Sequence, residues 1–237
     1  MIRRNSNENI TSIYKHFTIS YPQILHNMVD KSVKIANGKR AYLCKVFNCD
    51  QNDVDRLRAS FFVDRTAFVE YIRSVANGHT PPEWATGCFY NGEIQILVNI
   101  NNSKSVEEKT KTLTHEMVHL FFQQLIYERY NIDRIVWLDE AFATYLDNTD
   151  KISTKEINAL IQKLSSASDN FDMNVLNDPK KIRTDDYDGY DMFDLIGDYI
   201  FGTKQEKEII NTLIKDRNKI LELGTHILQD AVNYYIN

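Results

Sequence analysis

The sequence predicts an α+β fold, with strand-like runs gathered before about residue 102 and helical periodicity after it. Three observations carry this reading. Short alternating or apolar runs occur over 14–20, 57–63 and 92–98. Gly- and Pro-bearing punctuation, above all Asn77-Gly78-His79-Thr80-Pro81-Pro82, interrupts that part of the chain. From Ser105 onward, apolar residues recur at helical spacing instead. The expected organisation is a single domain over 1–237, divided into a sheet-bearing lobe of about 1–102 and a helical lobe of about 103–237.

The run over 14–20 alternates and reads as a strand. Ser20 then precedes Pro22, which suits the first position of a helix reaching to about Val46. A buried strand over 57–63 and a helix over 66–75 follow. A turn leads into the alternating strand over 92–98. Ser105 with Glu108 forms a capping-box pattern, and Leu113, Met117, Leu120, Phe121 and Gln124 continue at helical spacing. The remaining predicted helices cover 138–146, 154–164, 190–200, 204–215 and 228–235.

Composition narrows the function. Hydrophobic residues make up 43% of the chain, with only 8 Gly and 4 Pro, which fits a folded globular protein. The net charge of −5 and the absence of any basic block exclude a nucleic-acid partner held through phosphates. No stretch approaches the roughly 18 unbroken apolar residues of a membrane span. The polar start through Asn9 lacks the apolar core of a signal peptide, so a cytoplasmic location is expected unless a leader was trimmed. Cys44, Cys49 and Cys88 read as free thiols, with a Cys44–Cys49 disulfide as the alternative. His16, His26, His79 and His226 lie outside any ligand spacing. Asp186-Tyr187-Asp188-Gly189 lacks the further ligands of a calcium loop.

The chemistry is concentrated in His115-Glu116-Met117-Val118-His119, inside a predicted helix. Histidines four residues apart lie one above the other on one face, so both imidazoles can reach one ion. Glu116 sits about 100° around the helix from His115, where it flanks the ion and can take a proton from the attacking water. A hydrolytic centre needs a third protein ligand. Separated from His119 by twenty residues is Glu140, between Val136-Trp137-Leu138 and Ala141-Phe142-Ala143. Those apolar flanks argue for burial, and a buried carboxylate requires a cation. Two imidazoles and one carboxylate form the usual hydrolytic set for a single Zn2+ ion.

These two segments resemble the gluzincin metallopeptidases, within the broader peptidase MA-like group. The likeness includes aminopeptidases with a Trp-Leu-Asn-Glu-Gly-Phe-Ala signature, against Trp137-Leu138-Asp139-Glu140-Ala141-Phe142-Ala143 here. It extends over about 61–213, including Trp84-Ala85-Thr86-Gly87, whereas 1–60 match only in general pattern. The resemblance implies a zincin-like fold, with an active-site cleft between the lobes and the strand over 92–98 as the edge where substrate backbone pairs. It implies a zinc-dependent peptidase acting on peptide or protein substrates, with His115, His119 and Glu140 as ligands and Glu116 as general base. It further implies a tyrosine that donates to the developing oxyanion; Tyr187 fits the family spacing best and Tyr190 is the alternate. Finally, related aminopeptidases bind the substrate's free amine through a glutamate in a Gly-x-Met-Glu-Asn stretch. Gly87-Cys88-Phe89-Tyr90-Asn91 stands at nearly the same distance before the metal helix, placing Tyr90 at the glutamate's position, although a register shift could bring Glu93 there. The expected activity is therefore an endopeptidase or oligopeptidase. The alternatives are a zinc aminopeptidase and a non-catalytic zinc-binding scaffold protein.

Overall fold

Phe17, Ile19 and Tyr21 alternate with Thr18 and Ser20, and the apolar set is buried in strand β2 (Phe17–Pro22). The computed structural model describes residues 9–81, 83, 85–90, 92–147, 153, 155, 157–159, 162, 177 and 189–236. A second strand, β1 (Asn9–Ile13), pairs antiparallel with β2 through a turn closed by Tyr14 N–H to the Phe17 carbonyl at 2.8 Å. Of the strand expected over 14–20, residues 17–20 lie in β2 and 14–16 form the turn that joins it to β1. β1 was not legible because its sequence, Asn-Ile-Thr-Ser-Ile, has no period-two apolar alternation. Pro22 closes β2 instead of opening a helix; a short 3-10 turn, Gln23–Leu25, leads into α1 (His26–Phe47).

β3 (Leu57–Phe62) precedes α2 (Arg65–Val75), whose first turn is capped by the Asp64 carboxylate accepting from the Ala67 N–H at 2.8 Å. β4 (Gly87–Tyr90) and β5 (Glu93–Leu97) form a second antiparallel pair, with Gly92 between them at φ +72°. The five strands run in the order β1-β2-β3-β5-β4, and β3 is parallel to both its neighbours. This corrects the expected edge strand. β5 is paired on both sides, and the outer strand is the four-residue β4, too short to show a periodic pattern.

α3 (Ser103–Phe122) begins before the expected capping box. Asn102 supplies the cap, its side-chain oxygen accepting from the N–H groups of Lys104 (3.1 Å) and Ser105 (3.3 Å). The helix runs on into a π-turn, Gln123–Tyr127, then Glu128–Tyr130, and stops at Asn131 in the left-handed region (φ 51°). After it come α4 (Val136–Asp147), α5 (Gly189–Gly202), α6 (Glu206–Lys215) and α7 (Arg217–Ile236). The described residues of the helix predicted over 154–164, namely 155, 157–159 and 162, are helical. The architecture is α+β: a mixed sheet with helices, followed by a mainly helical C-terminal region.

The described residues form two compact units. One joins those up to Ala41 with Gln51–Met117; the other joins Tyr42–Asp50 with those from Val118 onward. Within the second unit, α4 is tightly seated. A Cβ at Gly197 of α5 would run into the Ala141 carbonyl oxygen, and one at Gly224 of α7 would meet the Trp137 indole nitrogen at 2.8 Å. Only glycine permits either approach. Among the described residues, no helix is long and apolar enough to cross a membrane. Cys44 and Cys49 are not joined in a disulfide, and the Cys49 N–H donates to the Cys44 carbonyl at 3.0 Å.

Candidate metal centre

α3 presents His115 and His119 four residues apart on a helix whose buried face carries Leu113, Met117, Val118, Phe121 and Phe122. Both histidines are half-buried. In α4 the apolar neighbours anticipated from the sequence are buried and take the acidic pair with them. Asp139 is 1% exposed and Glu140 6%. One ligand atom from each of His115, His119 and Glu140 falls within 4.8 Å of the others. His119 Nε2 lies 3.6 Å from Glu140 Oε1. Two ligand atoms about 2.0–2.1 Å from one tetrahedral zinc would be separated by about 3.4 Å, so the pair is close to coordinating distance. The donor set and its spacing could hold one metal ion.

A buried carboxylate needs a positive partner, and Glu140 has one besides any metal. Arg134 Nη2 donates to Glu140 Oε1 at 2.9 Å. The same guanidinium grips Asp139, with Nε to Oδ2 at 2.7 Å and Nη2 to Oδ1 at 2.9 Å. Asp139 also faces the His119 ring, Oδ1 lying 3.7 Å from Nδ1. With a carboxylate near Nδ1, Nε2 is left on the side of Glu140. The buried Tyr127 hydroxyl lies 3.2 Å from Asp139 Oδ2 and 3.3 Å from the Ile135 carbonyl oxygen, its single proton serving either. Tyr127 comes from the π-turn that follows α3, a kind of irregularity that recurs at functional sites.

The electrostatics follow from this burial. Loss of solvent pushes the Asp139 carboxyl up to about 6, against the hydrogen bonds and charge of Arg134, which pull it down. Burial, and then the negative charge of Asp139, raise the Tyr127 phenol well above its usual range, so it remains a neutral donor. Lys109 stands two helical turns before Glu116, and the two charges attract. Burial pushes its own ammonium pKa down, and Nζ donates to Thr86 Oγ1 at 2.8 Å.

The other predicted positions are distributed as follows. Glu116 is half-buried on α3, next to the candidate ligand His115. Tyr190 stands in the first turn of α5 with its ring edge-on to Phe193, centroids 5.6 Å apart. Tyr187 and Trp84 lie outside the described residues. Tyr90 ends β4 directly opposite Glu93 of β5 and packs on the Phe68, Ile72 and Ala76 cluster. The Glu93 carboxylate accepts from Ser60 Oγ at 2.5 Å and from the Tyr71 hydroxyl at 3.1 Å.

Arg134 and Tyr127 were not found from the sequence. Neither belongs to a motif, and only the approach of the π-turn and the 131–135 loop to α4 gives them partners. Asp139 carried a faint sign, since it is charged where the resembled signature has a neutral Asn. No protein-family model and no curated protein matches the chain.

Proposed function

We propose that the chain is a zinc-dependent peptidase with Glu116 as general base. The observation that carries this reading is the convergence of His115, His119 and Glu140, with a carboxylate at the position that follows His115 and outside the ligand set. Zinc, when bound, supplies a Lewis acid that polarises a carbonyl and makes a coordinated water acidic near neutral pH. The chain's own residues provide the rest. Glu116 accepts the proton of the attacking water and delivers it to the leaving amine. Asp139 holds the His119 imidazole with Nε2 toward the metal position. A tyrosine hydroxyl, from Tyr187 or Tyr190, donates to the oxyanion as it develops.

The retention of Glu116 favours catalysis over a zinc-binding scaffold, because that side chain adds nothing to holding the ion. The direct test is cleavage of a peptide library by the zinc-loaded chain, abolished by chelation and restored by zinc. Zinc binding without cleavage of any peptide would favour the scaffold reading.

Within the peptidase reading, an endopeptidase or oligopeptidase is favoured over an aminopeptidase. Recognition of a free α-amine requires a carboxylate with acceptor capacity facing the substrate. Tyr90 offers only a phenol and packs against α2, and the Glu93 carboxylate accepts from the Ser60 and Tyr71 hydroxyls. Matched peptides with free and acetylated N-termini should therefore be cut at rates within about threefold of one another, since no charge-assisted bond to the amine is lost. A strong preference for the free amine, abolished in Glu93→Gln, would reverse the assignment.

A further inference from the structure

We propose that Arg134 is a positioning residue for the metal centre, one guanidinium fixing both His119, through Asp139, and Glu140. The proposal rests on the metal-centre reading above. Asp139 and Glu140 are consecutive on α4, so the helix alone splays their side chains about 100° apart. Arg134 draws the two together. Nε and Nη2 take the two oxygens of Asp139, and Nη2 also takes Glu140 Oε1, all at 2.7–2.9 Å. The guanidinium is planar, so three short bonds to one plane fix where both carboxylates stand.

The consequence reaches the imidazole. His119 is placed between the two tethered groups, with Nδ1 3.7 Å from Asp139 Oδ1 and Nε2 3.6 Å from Glu140 Oε1. The Tyr127 hydroxyl approaches Asp139 at Oδ2, leaving the Oδ1 side to the histidine. A half-exposed arginine thus reaches inward to two carboxylates that are nearly fully buried, and through them sets two ligands that belong to separate helices. Lysine can supply the charge at this position. It cannot supply the plane.

The test uses the full chain as wild type, Arg134→Met and Arg134→Lys, with Arg217→Met as a control. Arg217 pairs with the exposed Asp133 at 3.7 Å in the same region, and neither is a metal ligand. Zn2+ affinity is measured by chelator competition, ligand geometry by the visible spectrum of the Co2+ form, and folding by circular dichroism. Arg134→Met should weaken Zn2+ binding by about 10–100-fold and alter the Co2+ bands, the size of effect usual for partners of metal ligands. Arg134→Lys should recover only part of the affinity, and Arg217→Met should match wild type.

A folded Arg134→Met chain with affinity within about threefold of wild type and an unchanged Co2+ spectrum would overturn the proposal. Full recovery in Arg134→Lys would also overturn it, by showing that charge suffices without the planar fork. If Arg134→Met does not fold, the lysine variant and Arg134→Gln carry the same comparison. A wild-type chain that binds neither ion removes the metal centre itself and this proposal with it. Wild-type binding with an unaffected Arg134→Met chain removes only the proposal.

Discussion

Glu116→Gln should leave zinc stoichiometry and affinity at wild-type values and lower kcat/KM on any cleaved peptide by about 10²–10⁴-fold, the usual contribution of a general base. The substitution keeps the size of the side chain and its place on α3, so helix packing and the two histidines are preserved. What it removes is the capacity to accept a proton, because an amide is not a base at neutral pH. Zinc analysis and steady-state kinetics on the same preparation separate the two roles. Loss of zinc along with activity would mean that Glu116 supports the site structurally. Undiminished activity would assign the base elsewhere.

Glu140→Ala should reduce zinc affinity by more than the roughly 10–100-fold typical of losing a partner of a ligand, because here a ligand itself is lost. Asp139 is poorly placed to substitute. Its oxygens are engaged by Arg134 and approached by Tyr127, and it sits on the Nδ1 side of His119. The variant should still fold, since the Arg134–Asp139 pair persists and no buried charge is stranded. The melting temperature gives a second readout. At zinc concentrations about 100 times Kd, binding stabilises the folded wild type by about 2.7 kcal/mol. For a chain of this size that corresponds to a rise of roughly 5–10 °C. Chelator should remove the rise from the wild type and change nothing in Glu140→Ala. A zinc-dependent rise that survives in the variant would place the third ligand elsewhere.

The features legible in the sequence were those encoded by local spacing. His115 and His119 are one helical turn apart, and the apolar residues on both sides of Glu140 foretold a buried carboxylate. β2, β3 and β5 showed as alternating or apolar runs because each buries an apolar set. What stayed hidden depended on distant contacts. β4 is only Gly-Cys-Phe-Tyr, and its role as the outer strand comes from pairing with β5. β1 has no buried residue, so nothing in its pattern distinguished it from a loop. The capping box at Ser105 was a local match overruled by Asn102, whose side chain reaches two free N–H groups at the helix start. Arg134 looked like any arginine in a polar loop until Asp139 and Glu140 were seen buried within its reach. Buried Glu140 needs a cation, and the Arg134 guanidinium meets part of that need.

The central claim is that His115, His119 and Glu140 hold one metal ion. Its most direct test is metal analysis of the purified native chain beside a His115→Ala/His119→Ala double variant prepared in the same way. The wild type should carry close to one zinc per chain, and the double variant should carry almost none. Zinc absent from the wild type even after incubation with excess ion, or present equally in both proteins, would contradict the account.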